Sequence, residues 1–225
     1  MAKSEVIFNI SDGGLGILAE NADNVSALVF DVATPVQYGT DKMRPFTQLS
    51  DIEALGIIKG HATYGVVWYH CSEFFRMARG AKLWLAFNIN FPDDILSLTQ
   101  GEVRQVGCFT SDLTQVGSFY QAAALTAKSK YAPLSILLGY RATAPVDINA
   151  LPDCATMNAQ DVSVIIVGSG LGEGAAIALA LARPYEPSVG VFLGATAKAT
   201  VNESIGHRQR MRMDNTVENA VIRLC

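Results

Sequence analysis

A chain of 225 residues, half of them apolar, carries enough hydrophobic material for one large domain or two small ones. Its 17 lysines and arginines against 21 acids give a net charge of −4, so no global positive field gathers nucleic acid or anionic lipid. The longest apolar stretches, 162–170 and 175–182, fall short of the roughly 20 residues that a bilayer crossing requires, and Val6 to Phe8 is too brief for a secretory signal core.

Residues 4–10 are β-branched and aromatic-rich, which predicts an exposed β-strand arm with Val6, Phe8 and Ile10 on one face and Ile7 on the other. Ser11 and Asp12 followed by Gly13 and Gly14 then form a turn cluster that frees the backbone as a hinge. The apolar run 26–32 (SALVFDV), bounded by Asn24 and by Thr34 with Pro35, predicts the first body strand. A short helix is expected over 47–56, with Ser50 or Asp51 as N-cap, Glu53 closing a capping box and Gly56 as the stop.

Between 64 and 79, Val67, Cys71, Phe74, Phe75 and Ala78 recur at helical spacing, and Gly80 ends the helix. Strands are predicted at 83–88, 103–109 and 134–140, separated by a helix opening at Asp93 and Asp94 and by a stripe of Leu113, Val116, Tyr120, Ala124 and Ala127. After a looser stretch over 142–160, a strand at 162–168, an Ala-rich helix at 175–182 and a strand at 189–193 complete the alternation. That order predicts an α/β fold, a largely parallel sheet covered by helices on both faces.

Chemical motifs are sparse. Gly170, Gly172 and Ala175 fit G-x-G-x-x-A between a predicted strand and a helix, the setting in which backbone N–H groups hold dinucleotide phosphates. The pattern falls late in the chain, and no acid follows the next apolar run to hold a ribose, so a tight strand-to-helix turn is the favoured reading. The 194–200 segment lacks the glycine a phosphate loop needs before Lys198. Asp93 and Asp94 read as helix-opening acids rather than paired catalytic carboxylates.

His61, His70 and His207 have no metal-ligand spacing, and packing is the expected role of His70. Cys71, Cys108, Cys154 and Cys225 are scattered like reduced thiols, and no G-x-S-x-G elbow occurs. Arg208, Arg210 and Arg212 read equally as a contact for phosphate or an acidic protein surface or as a solvated end. Neither catalytic residues, nor a metal, nor a cofactor are expected.

Several segments, in this order, resemble the tail sheath proteins of contractile phage tails and related contractile injection systems, in a short, divergent branch. They are 8–16 (FNISDGGLG), 28–31 (LVFD), 72–75 (SEFF) with 83–85 (LWL), 103–107 (VRQVG), 132–134 (APL), and 193–195 (LGA) leading to 201–206 (VNESIG). The resemblance implies a structural subunit of the virion tail, assembled in the host cytoplasm. Its partners would be further copies, other sheath subunits and the tail tube protein, without nucleic acid or membrane.

It also implies that subunits are joined when arms add strands to a neighbour's sheet, and that they move as rigid bodies on contraction about a hinge such as Gly13 and Gly14. The expected organisation is an arm and hinge over 1–14, a body over 15–206 and a short tail over 207–225, without the C-terminal domain usual in the family. The alternative is a small α/β nucleotide-binding enzyme using the turn near Gly170.

Overall fold

A computed structural model describes residues 25–147, 151–152 and 154–198. The arm residues Val6, Phe8 and Ile10, the hinge glycines Gly13 and Gly14, and the tail lie outside them. Six strands form one sheet: β1 (Ser26–Phe30), β2 (Met43–Phe46), β3 (Leu83–Phe87), β4 (Gln105–Thr110), β5 (Ser135–Tyr140) and β6 (Val162–Ile165). Their order is β2-β3-β1-β4-β5-β6, and only β2 is antiparallel to its neighbour. Six helices pack on this sheet: α1 (Leu49–Glu53), α2 (Gly65–Met77), α3 (Asp93–Leu98), α4 (Ala122–Ser129), α5 (Gly172–Ala180) and α6 (Val189–Lys198). The fold is the α/β architecture that the alternating runs predict.

The chain moves outward from β1 to β3 and then crosses back over β1 to reach β4. Right-handed connections in opposite directions send their helices to opposite faces. One face accordingly buries Leu28, Phe30, Leu85 and Phe87 beneath Phe74 of α2 and Leu193 of α6. The other buries Ala27, Val106, Ile136 and Leu138 beneath Ile95 of α3 and Ala124 of α4. Adjacent strand residues thus feed separate cores, as the two-residue period requires. Each fully buried Leu or Phe contributes about 1.5–3 kcal/mol relative to exposure.

Three expectations need correction. The 189–193 run is the start of helix α6, not a strand. A continuous apolar run does not distinguish the two states, and here Gly190 and Gly194, one helical turn apart, let α6 lie directly against α2. A Cβ at Gly194 would come within 2.7 Å of the Phe74 carbonyl oxygen, and one at Gly190 would overlap the His70 carbonyl. On the sheet side, Gly107 leaves room for Val189, where an added Cβ would meet its Cγ1 at 2.8 Å. The second correction is an omission: no element was expected between the 26–32 strand and the 47–56 helix, yet β2 lies there, and its MRPF sequence carries Pro45 and Arg44 and has no apolar alternation. It pairs antiparallel to β3 as an edge strand, where proline is tolerated.

Third, the capping box fails. Helix α1 begins at Leu49, so Ser50 and Asp51 fall inside its first turn, and the N-cap residue Gln48 donates its side chain to Asp51 rather than capping a backbone N–H. Glu53 instead accepts a 2.7 Å hydrogen bond from Trp68 Nε1. Smaller shifts are that β6 stops at Ile165, that α5 starts at Gly172, and that the 113–127 stripe opens with a π-helical turn at Val116–Gln121 before α4.

Candidate functional site

The strand order reverses between the parallel neighbours β1 and β4, which makes a topological switch point, and in open α/β sheets the loops there diverge to leave a crevice beyond the carboxyl ends of the strands. A cleft of about 720 Å³ occupies this position. Asn88 and Phe91 reach it after β3, Asp31 after β1, Thr110 and Ser111 at the end of β4, and Arg141 after β5. Two irregularities border it. Asn88 sits at φ +46°, a left-handed conformation, with its Nδ2 donating to the Val32 carbonyl at 2.8 Å. The π-helical turn supplies Phe119 and Tyr120, and Phe119 remains 45% exposed. Strained backbone and π-turns concentrate where a fold holds something.

Beneath one end of this cleft lies a buried charge cluster. Gly190 N–H donates to His70 Nδ1 at 3.4 Å, so the ring proton resides on Nε2, which donates to Glu186 Oε1 at 3.1 Å. Arg141 gives the same oxygen Nε at 2.9 Å and Nη2 at 2.7 Å, and Arg183 Nη1 donates to Oε2 at 2.8 Å. Burial pushes the His70 ring below its ordinary value, outweighing the upward pull of Glu186, so the imidazole is neutral. Burial would raise the Glu186 carboxyl, but the His70 hydrogen bond and the Arg141 charge prevail and bring it down to about 2. Two guanidiniums share one carboxylate, so the cluster carries one excess positive charge, which the Asp31 carboxylate elsewhere on the cleft offsets. The Arg141 guanidinium also lies 3.8 Å from the centre of the Phe109 ring.

The glycine-rich turn is elsewhere. None of Gly170, Gly172 and Ala175 lines the cleft. Gly172 takes φ +71° where α5 begins, and Gly174 is a close approach, since a Cβ there would come within 2.7 Å of Tyr69 Oη. Glu173, in the first turn of α5, pairs with Lys59 at 3.0 Å. Gly194 to Lys198, the other glycine-to-lysine segment, lies within α6.

The sheet's far margin presents a different surface. Among the described residues β6 pairs with β5 alone. Because Ile136 N–H bonds the Asp161 carbonyl, residues 161, 163 and 165 turn their backbone groups toward β5, and Val162 and Val164 turn theirs outward. Val162 and Val164 also line an apolar groove of about 270 Å³ with Leu113, Val116 and Pro152. The segment carries no lysine, no proline and no bulge, the usual guards of an edge strand.

Sequence reasoning placed His70 on its helix and Gly170 in the turn, put Gly172 in that turn where it is the first residue of α5, and missed Arg141, Arg183 and Glu186. Arg183 and Glu186 are three residues apart but Arg141 and His70 are far from them in the sequence, and the one available signal was that Asn88, Ser111 and Arg141 each follow an apolar run. Among the described residues no three His, Cys, Asp or Glu side chains converge as a metal site. No helix there is long and apolar enough to cross a membrane. A search against protein families and one against curated proteins return no match to the chain.

Proposed function

We propose that this protein is a structural subunit of a contractile phage tail sheath or a sheath-like assembly. Subunits are joined by strand exchange and move as rigid bodies on contraction. Val6, Phe8 and Ile10 form the apolar face of the donated arm, and Gly13 and Gly14 are its hinge. The observation that carries this reading is the unguarded β6 edge beside an apolar groove. An added strand satisfies the outward groups of Val164 and places alternate side chains against Val162 and Val164.

The resemblance of the ordered segments to sheath proteins supports the choice of assembly. The competing nucleotide enzyme built on the Gly170 turn draws less support, because Gly174 there serves close packing on Tyr69. Negative-stain microscopy with mass measurement on the full chain and on a variant lacking residues 1–14 tests the proposal. Rings or tubes that vanish on deletion are the expected result, and a monomer in both samples contradicts it.

A further inference from the structure

Assembly at β6 makes no use of the switch-point cleft, which is polar and charged and opens beyond the carboxyl ends of β3, β1, β4 and β5. We propose that this cleft binds a nucleoside monophosphate, with its phosphate on Arg141 and Arg183 and its base against Phe119. Three features of the cleft lead there: its length, the placement of its charges, and an aromatic wall opposite them.

The strand order fixes the layout. Phe91 follows β3, Asp31 follows β1, Thr110 and Ser111 close β4, and Arg141 follows β5. From β3 to β5 are three strand spacings, about 14 Å, the span of a mononucleotide from base to phosphate and too long for a bare inorganic anion. The 720 Å³ volume lies within the range of about 300–1,000 Å³ usual for small-molecule sites.

At the β5 end, Arg141 and Arg183 share the buried carboxylate of Glu186, and Arg183 gives it a single nitrogen. Glu186 fixes both guanidiniums in place without neutralising both, which is the arrangement that receives a further anion. At the β3 end, the Phe119 ring stands 6.2 Å from Phe91 and 5.0 Å from Tyr120, an aromatic wall with one ring open to a flat partner. Between them, the Asp31 carboxylate and the Ser111 hydroxyl suit sugar hydroxyls, while Thr110 Oγ1 is engaged with Asp112 and Gln115. The charges facing the cleft are therefore cationic at one end, with the single carboxylate of Asp31 at the middle.

Calorimetric titration of the full chain with AMP, GMP, CMP and UMP tests this. At least one should bind saturably with a dissociation constant below about 1 mM. Inorganic phosphate and the matching nucleoside should each bind at least about tenfold more weakly, because each fills only one end. Arg183→Gln should weaken the nucleotide about tenfold through loss of a charge-assisted contact, and Phe119→Ala by a similar factor through loss of stacking.

Phe119 is half-exposed and separate from the Glu186 cluster, so its variant reads the site even if Arg183→Gln fails to fold. Gly170→Ala, where an added Cβ meets nothing within 4 Å, should leave binding unchanged. The proposal is overturned if none of the four binds up to about 5 mM, if phosphate alone binds equally well, or if Gly170→Ala weakens binding while Phe119→Ala does not.

Discussion

The two margins of the sheet are built on opposite principles. At β2 the outer strand carries Arg44 and Pro45 and follows Lys42, and its neighbourhood is tied by Lys42 to Asp94 at 3.0 Å and by Arg44 to Asp41 at 2.8 Å. Proline removes a donor and exposed charges resist desolvation, so another chain gains little by pairing there. At β6 the outer strand is VSVI, backed by an apolar groove; the acid just before it, Asp161, is held by Gln121 Nε2 at 2.8 Å, and the buried Glu186 cluster takes up Arg141 after β5. One margin is guarded against pairing, and on the proposed reading the other is completed by it.

The sharpest way to break this contrast is to remove the charge behind each margin. Glu186→Ala leaves two guanidiniums and a buried imidazole without their shared acceptor, and should destabilise the fold by about 3–5 kcal/mol in chemical denaturation. Asp94→Ala at the opposite margin breaks a pair whose lysine is 55% exposed and should change stability by less than about 1 kcal/mol. Equal effects would show that the cluster does not anchor the β5 side.

Acidification separates the margins in the same direction. The folded chain holds His70 below its ordinary 6.5, so as pH falls through that value the unfolded chain takes up a proton the folded chain refuses, and stability declines. Glu186 is lowered from 4.5 to about 2, so its contribution is complete above the unfolded value and disappears as pH falls from about 5 toward 2. That second loss is of order 3 kcal/mol. Denaturation midpoints measured across pH 7 to 3 should fall in two stages, and the first stage should disappear in His70→Gln.

The margins themselves respond less in stability and more in association. Val164→Lys places a guard of the β2 kind on β6, so it should change stability by no more than about 1 kcal/mol while abolishing ordered assemblies in microscopy. The reverse change, Pro45→Val, restores a donor to β2 and should shift stability by less than about 0.5 kcal/mol. Assembly after Pro45→Val should remain dependent on the arm, because Arg44 and Lys42 still guard the strand.

The parallel body was legible because each buried strand is a short apolar run closed by turn formers, as in 83–88 and 134–140, and because α2 shows a clear helical period. What escaped has physical causes. In α6 every position from Val189 to Ala195 is buried, so no polar face marks its period, and helix and strand look alike. Strand β2 is held by its partner β3 and by Tyr38, whose hydroxyl donates to the Leu85 carbonyl at 3.2 Å, not by its own pattern.

The candidate sites divide in the same way. The proposed arm rests on a local pattern in the sequence alone and lies outside the described residues. The cleft joins Asp31, Asn88, Arg141 and Arg183, which only the strand order brings together.

The central claim is that β6 of one copy receives the arm of another. Replacing Phe8 with the photoreactive analogue p-benzoylphenylalanine, in an equal mixture of isotopically labelled and unlabelled full-length chains, tests it directly. The expected product on irradiation is a cross-link from position 8 of one chain to the Val162–Ile165 segment of the other. Cross-links to β2, cross-links confined to a single chain, or none at all in assembled material would contradict it.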